Sequence, residues 1–153
     1  MVTYDKYDVV FQEIPNEITL AFTIEGCPNN CVGCHSPHLR EQNGVELTQT
    51  ELLKIMSKYG NSITCVLFLG GDAFHDELYK LFKVCSYFGY KVAFYSGNNV
   101  LNEKLFDWLN YYKIGHYNQE LGGLDNPKTN QRLYKYDKGN LEDITGVFWD
   151  VRK

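Results

Sequence analysis

Apolar and polar positions alternate between two periods along the chain. Residues 7–14 (YDVVFQEI) and 18–24 (ITLAFTI) are apolar and β-rich, and Pro15-Asn16 between them is a turn signal, so an N-terminal hairpin is predicted. Thr48 and Glu51 have capping-box spacing. Leu52, Ile55, Met56 and Tyr59 then recur at helical intervals up to Gly60-Asn61, which predicts a helix. Residues 63–69 (ITCVLFL) are almost wholly apolar, the pattern of a strand covered on both faces. A second helix is predicted over 76–88, with Leu78, Leu81, Phe82, Cys85 and Phe88 on its inner stripe and Gly89 placed to cap it. Residues 90–95 (YKVAFY) read as the next strand. Asn102 opens a third helix with Leu105, Trp108 and Leu109 inward, and residues 111–114 form a short strand.

Strands and helices therefore alternate, which predicts right-handed crossovers and a mainly parallel sheet. With 153 residues the chain is long enough for one core and too short for a complete eight-fold barrel. The expected fold is α/β: a single domain over 1–153 built as a partial, incomplete TIM-like βα barrel. Beyond Gly115 the pattern weakens. Gly122-Gly123 and Asn126-Pro127 mark a long loop, and residues 141–149 add a late strand or hairpin.

Composition narrows the function. The net charge is −4 and no basic block occurs, so nucleic-acid binding has no support. No apolar run is long enough to span a bilayer, and the first residues lack the features of a secretory signal. A cytoplasmic protein is expected, with its thiols reduced. Five cysteines, an odd number, argue against a disulfide framework.

Three of those cysteines fall within eight residues: Cys27, Cys31 and Cys34. Thiolates suit iron and zinc, and gaps of three and two residues let one loop, 26–37, wrap a single metal centre. Gly26 and Gly33 leave room for backbone beside a bulky cluster. Cys65, in a strand, and Cys85, on a buried helical stripe, read as small hydrophobes. Three local thiolates would leave one iron of a 4Fe–4S cluster open, since such a cluster takes four ligands. On spacing alone a zinc site completed by His35 or His38 stays open as well. His75 and His116 read as solvated loop residues.

The triad Cys27-x3-Cys31-x2-Cys34 resembles the signature of the radical S-adenosylmethionine (SAM) enzymes. The wider stretch from Gly26 to Pro37 is similar to the activating enzymes of glycyl-radical proteins. Gly70-Gly71-Asp72 after a strand resembles that family's Gly-Gly-Glu motif, and Tyr95-Ser96-Gly97 resembles a second cofactor-lining segment. Asn130-Gln131-Arg132 resembles a tripeptide of the activating proteins of anaerobic ribonucleoside-triphosphate reductases. The resemblance spans roughly residues 17–135.

The resemblance implies a function. Cys27, Cys31 and Cys34 would hold three irons, and the fourth would chelate SAM. Gly70, Gly71 and Asp72 would meet the methionine ammonium, although Asp72 also reads as a plain helix N-cap. Ser96 and Gly97 would line the methionine or ribose, with Lys113 facing the same cavity. An external one-electron reductant such as flavodoxin would drive cleavage of SAM, and the resulting 5′-deoxyadenosyl radical would take a hydrogen atom from a glycine of the partner, the glycyl-radical subunit of the reductase. Two alternatives stand beside this: another glycyl-radical enzyme or a small molecule as target, and a non-catalytic zinc or iron–sulfur module.

Overall fold

The computed structural model describes residues 1–26, 44–115, 120–137 and 139–148. Its strands are β1 (Thr3–Val10), β2 (Thr19–Ile24), β3 (Val45–Glu46), β4 (Cys65–Leu69), β5 (Lys91–Tyr95), β6 (Tyr111–Ile114), β7 (Arg132–Asp137) and β8 (Asn140–Asp143). Two helices accompany them, α1 (Gln49–Tyr59) and α2 (His75–Tyr87). All eight strands form one sheet in the order β3-β1-β2-β4-β5-β6-β7-β8.

This overturns the expected partial βα barrel. Only the pairs β2–β4, β4–β5 and β5–β6 are parallel, whereas β3–β1, β1–β2, β6–β7 and β7–β8 are antiparallel. The fold is a mixed eight-stranded sheet with two short helices. Two features end the barrel pattern. The third helix shrinks to a 3-10 stretch, Glu103–Asp107, because Asn110 must already lie beside β5: its N–H donates to the Val92 carbonyl at 2.8 Å and its side-chain oxygen accepts from the Val92 N–H at 3.0 Å. After Ile114 the chain then turns back, and Ile114 pairs antiparallel with Arg132 where another crossover helix was required.

The local signals explain the elements that did form. Thr48 caps α1, accepting from the Glu51 N–H at 3.1 Å. The reciprocal half of the capping box is absent, because the Glu51 carboxylate instead accepts from the Tyr4 hydroxyl at 2.6 Å. Leu52, Ile55 and Met56 face the core as their spacing predicts. Leu78, Leu81, Phe82 and Cys85 of α2 are buried, but Phe88 lies beyond the helix and is exposed. Gly89 follows at φ 88°, its N–H donating to Ser86 O at 3.0 Å, a left-handed exit that suits glycine.

Apolar residues alternate between the two faces of the sheet. On the helix-covered face Leu20, Phe22, Ile24, Val66, Phe68, Val92, Phe94 and Tyr112 pack with α1 and α2. Phe22 stacks on Phe68 at 5.8 Å between centroids, and Phe68 meets Phe82 at 5.2 Å. The other face carries Ala21, Cys65, Leu67, Ala93, Tyr111 and Leu133, covered by Ile14 and by Leu124, Ile144 and Phe148 from the last third of the chain. The central strands are therefore covered on both sides, as the run ITCVLFL predicts. Cys65 and Cys85 are both buried free thiols, and burial pushes the Cys65 thiol up to about 12.

Candidate functional site

One edge of the sheet gathers the motifs singled out in the sequence. Parallel strands β2, β4, β5 and β6 all end there. β2 leads through Glu25 and Gly26 toward the cysteine segment, β4 into Gly70-Gly71-Asp72, β5 into Ser96-Gly97, and β6 from Lys113 into Gly115. Antiparallel β7 starts at the same edge, directly after Asn130 and Gln131. Cys27, Cys31 and Cys34, with His35, His38 and His116, lie outside the described residues.

Gly70 and Gly71 need to be glycine. Their φ angles are 91° and 104°. A Cβ on Gly70 would lie 3.3 Å from the Ile24 carbonyl, and one on Gly71 would lie 2.8 Å from Leu78 Cδ1. The Gly70 N–H donates to Tyr95 O at 2.9 Å, which ties the end of β4 to the end of β5.

Asp72 strengthens that tie. Its Oδ1 accepts from Ser96 Oγ at 2.6 Å and from His75 Nε2 at 3.1 Å, and its Oδ2 accepts from the Gly97 N–H at 2.8 Å. The side chain is only 3% exposed. Burial pushes the carboxyl pKa up, but the bonds from His75, Ser96 and Gly97 together outweigh it and hold Asp72 below the usual carboxylate range. Asp72 does not cap α2. It opens the 3-10 turn Asp72–Phe74 ahead of that helix and bridges two strand exits.

His75 is part of this bridge, contrary to its expected place as a solvated loop residue. Its Nδ1 lies 2.9 Å from the Asn102 amide nitrogen. The Asn102 oxygen accepts from the Lys104 N–H at 3.2 Å, which fixes the amide orientation, so Nδ1 accepts and the Nε2 proton points to Asp72. Ser96 is fully buried. Its N–H donates to Lys113 O at 2.8 Å and its Oγ accepts from the Asn98 N–H at 2.9 Å.

Lys113 joins this group through its backbone. Its ammonium lies 5.3 Å from the centroid of the Tyr95 ring, a cation–π contact on the sheet face away from the helices. The Tyr95 hydroxyl donates in turn to the Glu13 carbonyl. Asn130 and Gln131 reach the same edge by packing on Gly115, where a Cβ would lie 2.9 Å from Gln131 Cα. Sequence reading missed His75 and Asn102 here. The Asp72-x-x-His75 spacing was the one available signal, because residues three apart share a helical face.

Among the described residues no group of three or more His, Cys, Asp or Glu side chains is arranged to hold a metal ion. A metal centre at this edge draws on residues outside the described ones, among which the cysteine triad lies. The donor set of residues 27–34 fits an iron–sulfur cluster: three soft thiolates within eight residues, in a segment that follows the end of β2. Among the described residues no helix is long and apolar enough to cross a membrane.

The model of a family described as a 4Fe-4S single cluster domain matches residues 18–108, more than half of the chain. The chain belongs to that family. Within the 4Fe–4S single cluster domain family a cubane cluster takes precedence over zinc as the metal centre. The matched span contains the cysteine triad, Gly70-Gly71-Asp72 and Ser96-Gly97, and stops short of Lys113 and Asn130-Gln131-Arg132. Neither the curated proteins nor the solved structures yield a match.

Proposed function

We propose that this 4Fe–4S protein is a radical SAM activase that generates the glycyl radical of an anaerobic ribonucleoside-triphosphate reductase. Cys27, Cys31 and Cys34 hold three irons in this reading, and SAM occupies the fourth. The bound cluster supplies the single electron for reductive cleavage of SAM, received from an external carrier such as flavodoxin. The observation that carries the proposal is the bridge from Asp72 to Ser96 and Gly97, one strand over from the exit of β2 that leads to the cysteines.

The chain's own residues bind and orient. Gly70 and Gly71 hold the left-handed turn at the end of β4, and in this reading their carbonyls meet the ammonium group of SAM. Asp72 keeps its negative charge at neutral pH and favours a cation at this edge. It also ties Ser96 and Gly97 to the turn that follows the glycine pair. Lys113 and the Tyr95 ring lie on the sheet face away from the helices, and in this reading the ammonium pairs with a carboxylate or ribose hydroxyl of SAM.

The test is anaerobic reconstitution with iron and sulfide, then incubation with SAM and a one-electron reductant. About four irons per chain and release of 5′-deoxyadenosine are expected, four being the iron count of a cubane. Adding the reductase should give a glycine-centred radical by electron paramagnetic resonance. A preparation that holds one tight zinc and never cleaves SAM would overturn the reading.

A further inference from the structure

Both flanks of the cysteine segment are held to the start of β1. On the exit side the Glu25 N–H donates to Thr3 O at 2.9 Å. On the return side Val45 and Glu46 of β3 pair with Tyr4 and Thr3, and the Leu47 N–H donates to Val2 O at 2.8 Å. One side chain joins the two sides directly. The Glu25 carboxylate oxygen Oε1 accepts from Thr3 Oγ1 at 2.9 Å and from the Gly44 N–H at 2.5 Å. Glu25 and Thr3 are 3% and 2% exposed. Gly44 has no room for a side chain: a Cβ there would collide with the Tyr4 carbonyl and lie 2.7 Å from Glu25 Oε1.

We propose that Glu25 is a positioning residue for the 4Fe–4S cluster, its carboxylate locking the exit and the return of residues 27–43 to β1. The inference rests on the cysteine segment holding the cluster. Fixing the ends of that stretch lowers the entropy cost of bringing its three thiolates to one metal centre. β3 alone is a weak anchor, with two residues, both exposed. The carboxylate bonds are buried and charge-assisted, and such bonds are about twice as strong as neutral ones. They therefore add to the return anchor that the buried Leu47 provides, and raise the free energy of local opening that exposes iron to solvent.

The experiment follows anaerobic iron release from the reconstituted protein to a ferrous chelator, alongside thermal unfolding of the apoprotein. Glu25→Ala and Gly44→Ala should release iron about tenfold faster or more, the usual cost of removing a group that orients metal ligands. Glu25→Gln keeps an accepting oxygen without the charge and should release iron at a rate between those of the parent and the Ala variant. A folded Glu25→Ala variant that releases iron at the parent rate overturns the inference, as does a Gln variant as fast as the Ala variant. Should Glu25→Ala fail to fold, Thr3→Val removes one of the two side-chain bonds and must still speed release, the parent rate again overturning the inference. A parent protein that binds four irons yet shows no SAM cleavage sinks the proposed function and leaves Glu25 testable by iron release. A parent that binds no iron overturns both.

Discussion

Ser96 donates its hydroxyl to Asp72 Oδ1 across 2.6 Å, joining the ends of two neighbouring parallel strands. Removing the carboxylate strands three donors at once: Ser96 Oγ, His75 Nε2 and the Gly97 N–H. Asp72→Ala is expected to cost about 2–3 kcal/mol of stability, the penalty for leaving buried donors without an acceptor. Ser96→Ala, which removes one bond to the charged group, should cost about 1–2 kcal/mol. Urea unfolding of each variant checks both values, and in the activase reading both should also weaken SAM binding.

The same carboxylate sets a pH dependence. Its folded-state pKa lies below its unfolded value of about 3.9, so the folded state favours the ionised form. The stability it contributes is fully present above the unfolded value and is lost as pH falls through the lower folded one. Between about pH 5 and pH 2 the parent should lose more stability than Asp72→Asn, on the linkage between protonation and folding. Paired denaturation series across that range test the sign. Equal slopes would mean that Asp72 titrates alike in both states.

The cysteines divide into two groups with opposite expected behaviour. Cys31→Ala should abolish cluster binding while leaving the sheet folded, as iron analysis and circular dichroism would report. Cys65→Ala should retain the full iron content and lose about 1 kcal/mol of stability, a typical loss for a buried truncation. Loss of iron from a folded Cys65 variant would make that thiol a ligand.

Gly71→Ala combines two penalties, a left-handed backbone at φ 104° and a Cβ 2.8 Å from Leu78 Cδ1. A cost of about 1–3 kcal/mol is expected for such strain. A thermal midpoint equal to the parent's would show that α2 shifts freely at Leu78.

The central elements were legible because their own sequences decide them. ITCVLFL is buried on both faces, and the Thr48 cap and the stripe of Leu52, Ile55 and Met56 fix α1 without outside help. The flanks were less so. The run RLYKYD of β7 reads weakly because only Leu133 is buried, and its placement depends on pairing with β6 and β8. The third helix was expected from Asn102 and the apolar residues after it. Asn102 does cap, accepting from the Lys104 N–H, but the tether at Asn110 leaves room for one 3-10 stretch only. At the site, the motifs were visible in the sequence, whereas the direct bonds that join Asp72 to Ser96, Gly97 and His75 were not. Asp72 and Ser96 are 24 residues apart, and adjacent parallel strands alone bring them together.

Beside Ile14, the helix-free face of the sheet is covered by Leu124, Ile144 and Phe148, all beyond the span that defines the family. A chain cut after Gly115 would present Ala21, Leu67, Ala93 and Tyr111 to water and leave β6 as a bare edge. Such an unpaired edge invites strand addition from another copy. The stretch furthest from the family signature thus covers apolar sheet surface, and shortened versions of this chain should aggregate before their chemistry can be assayed.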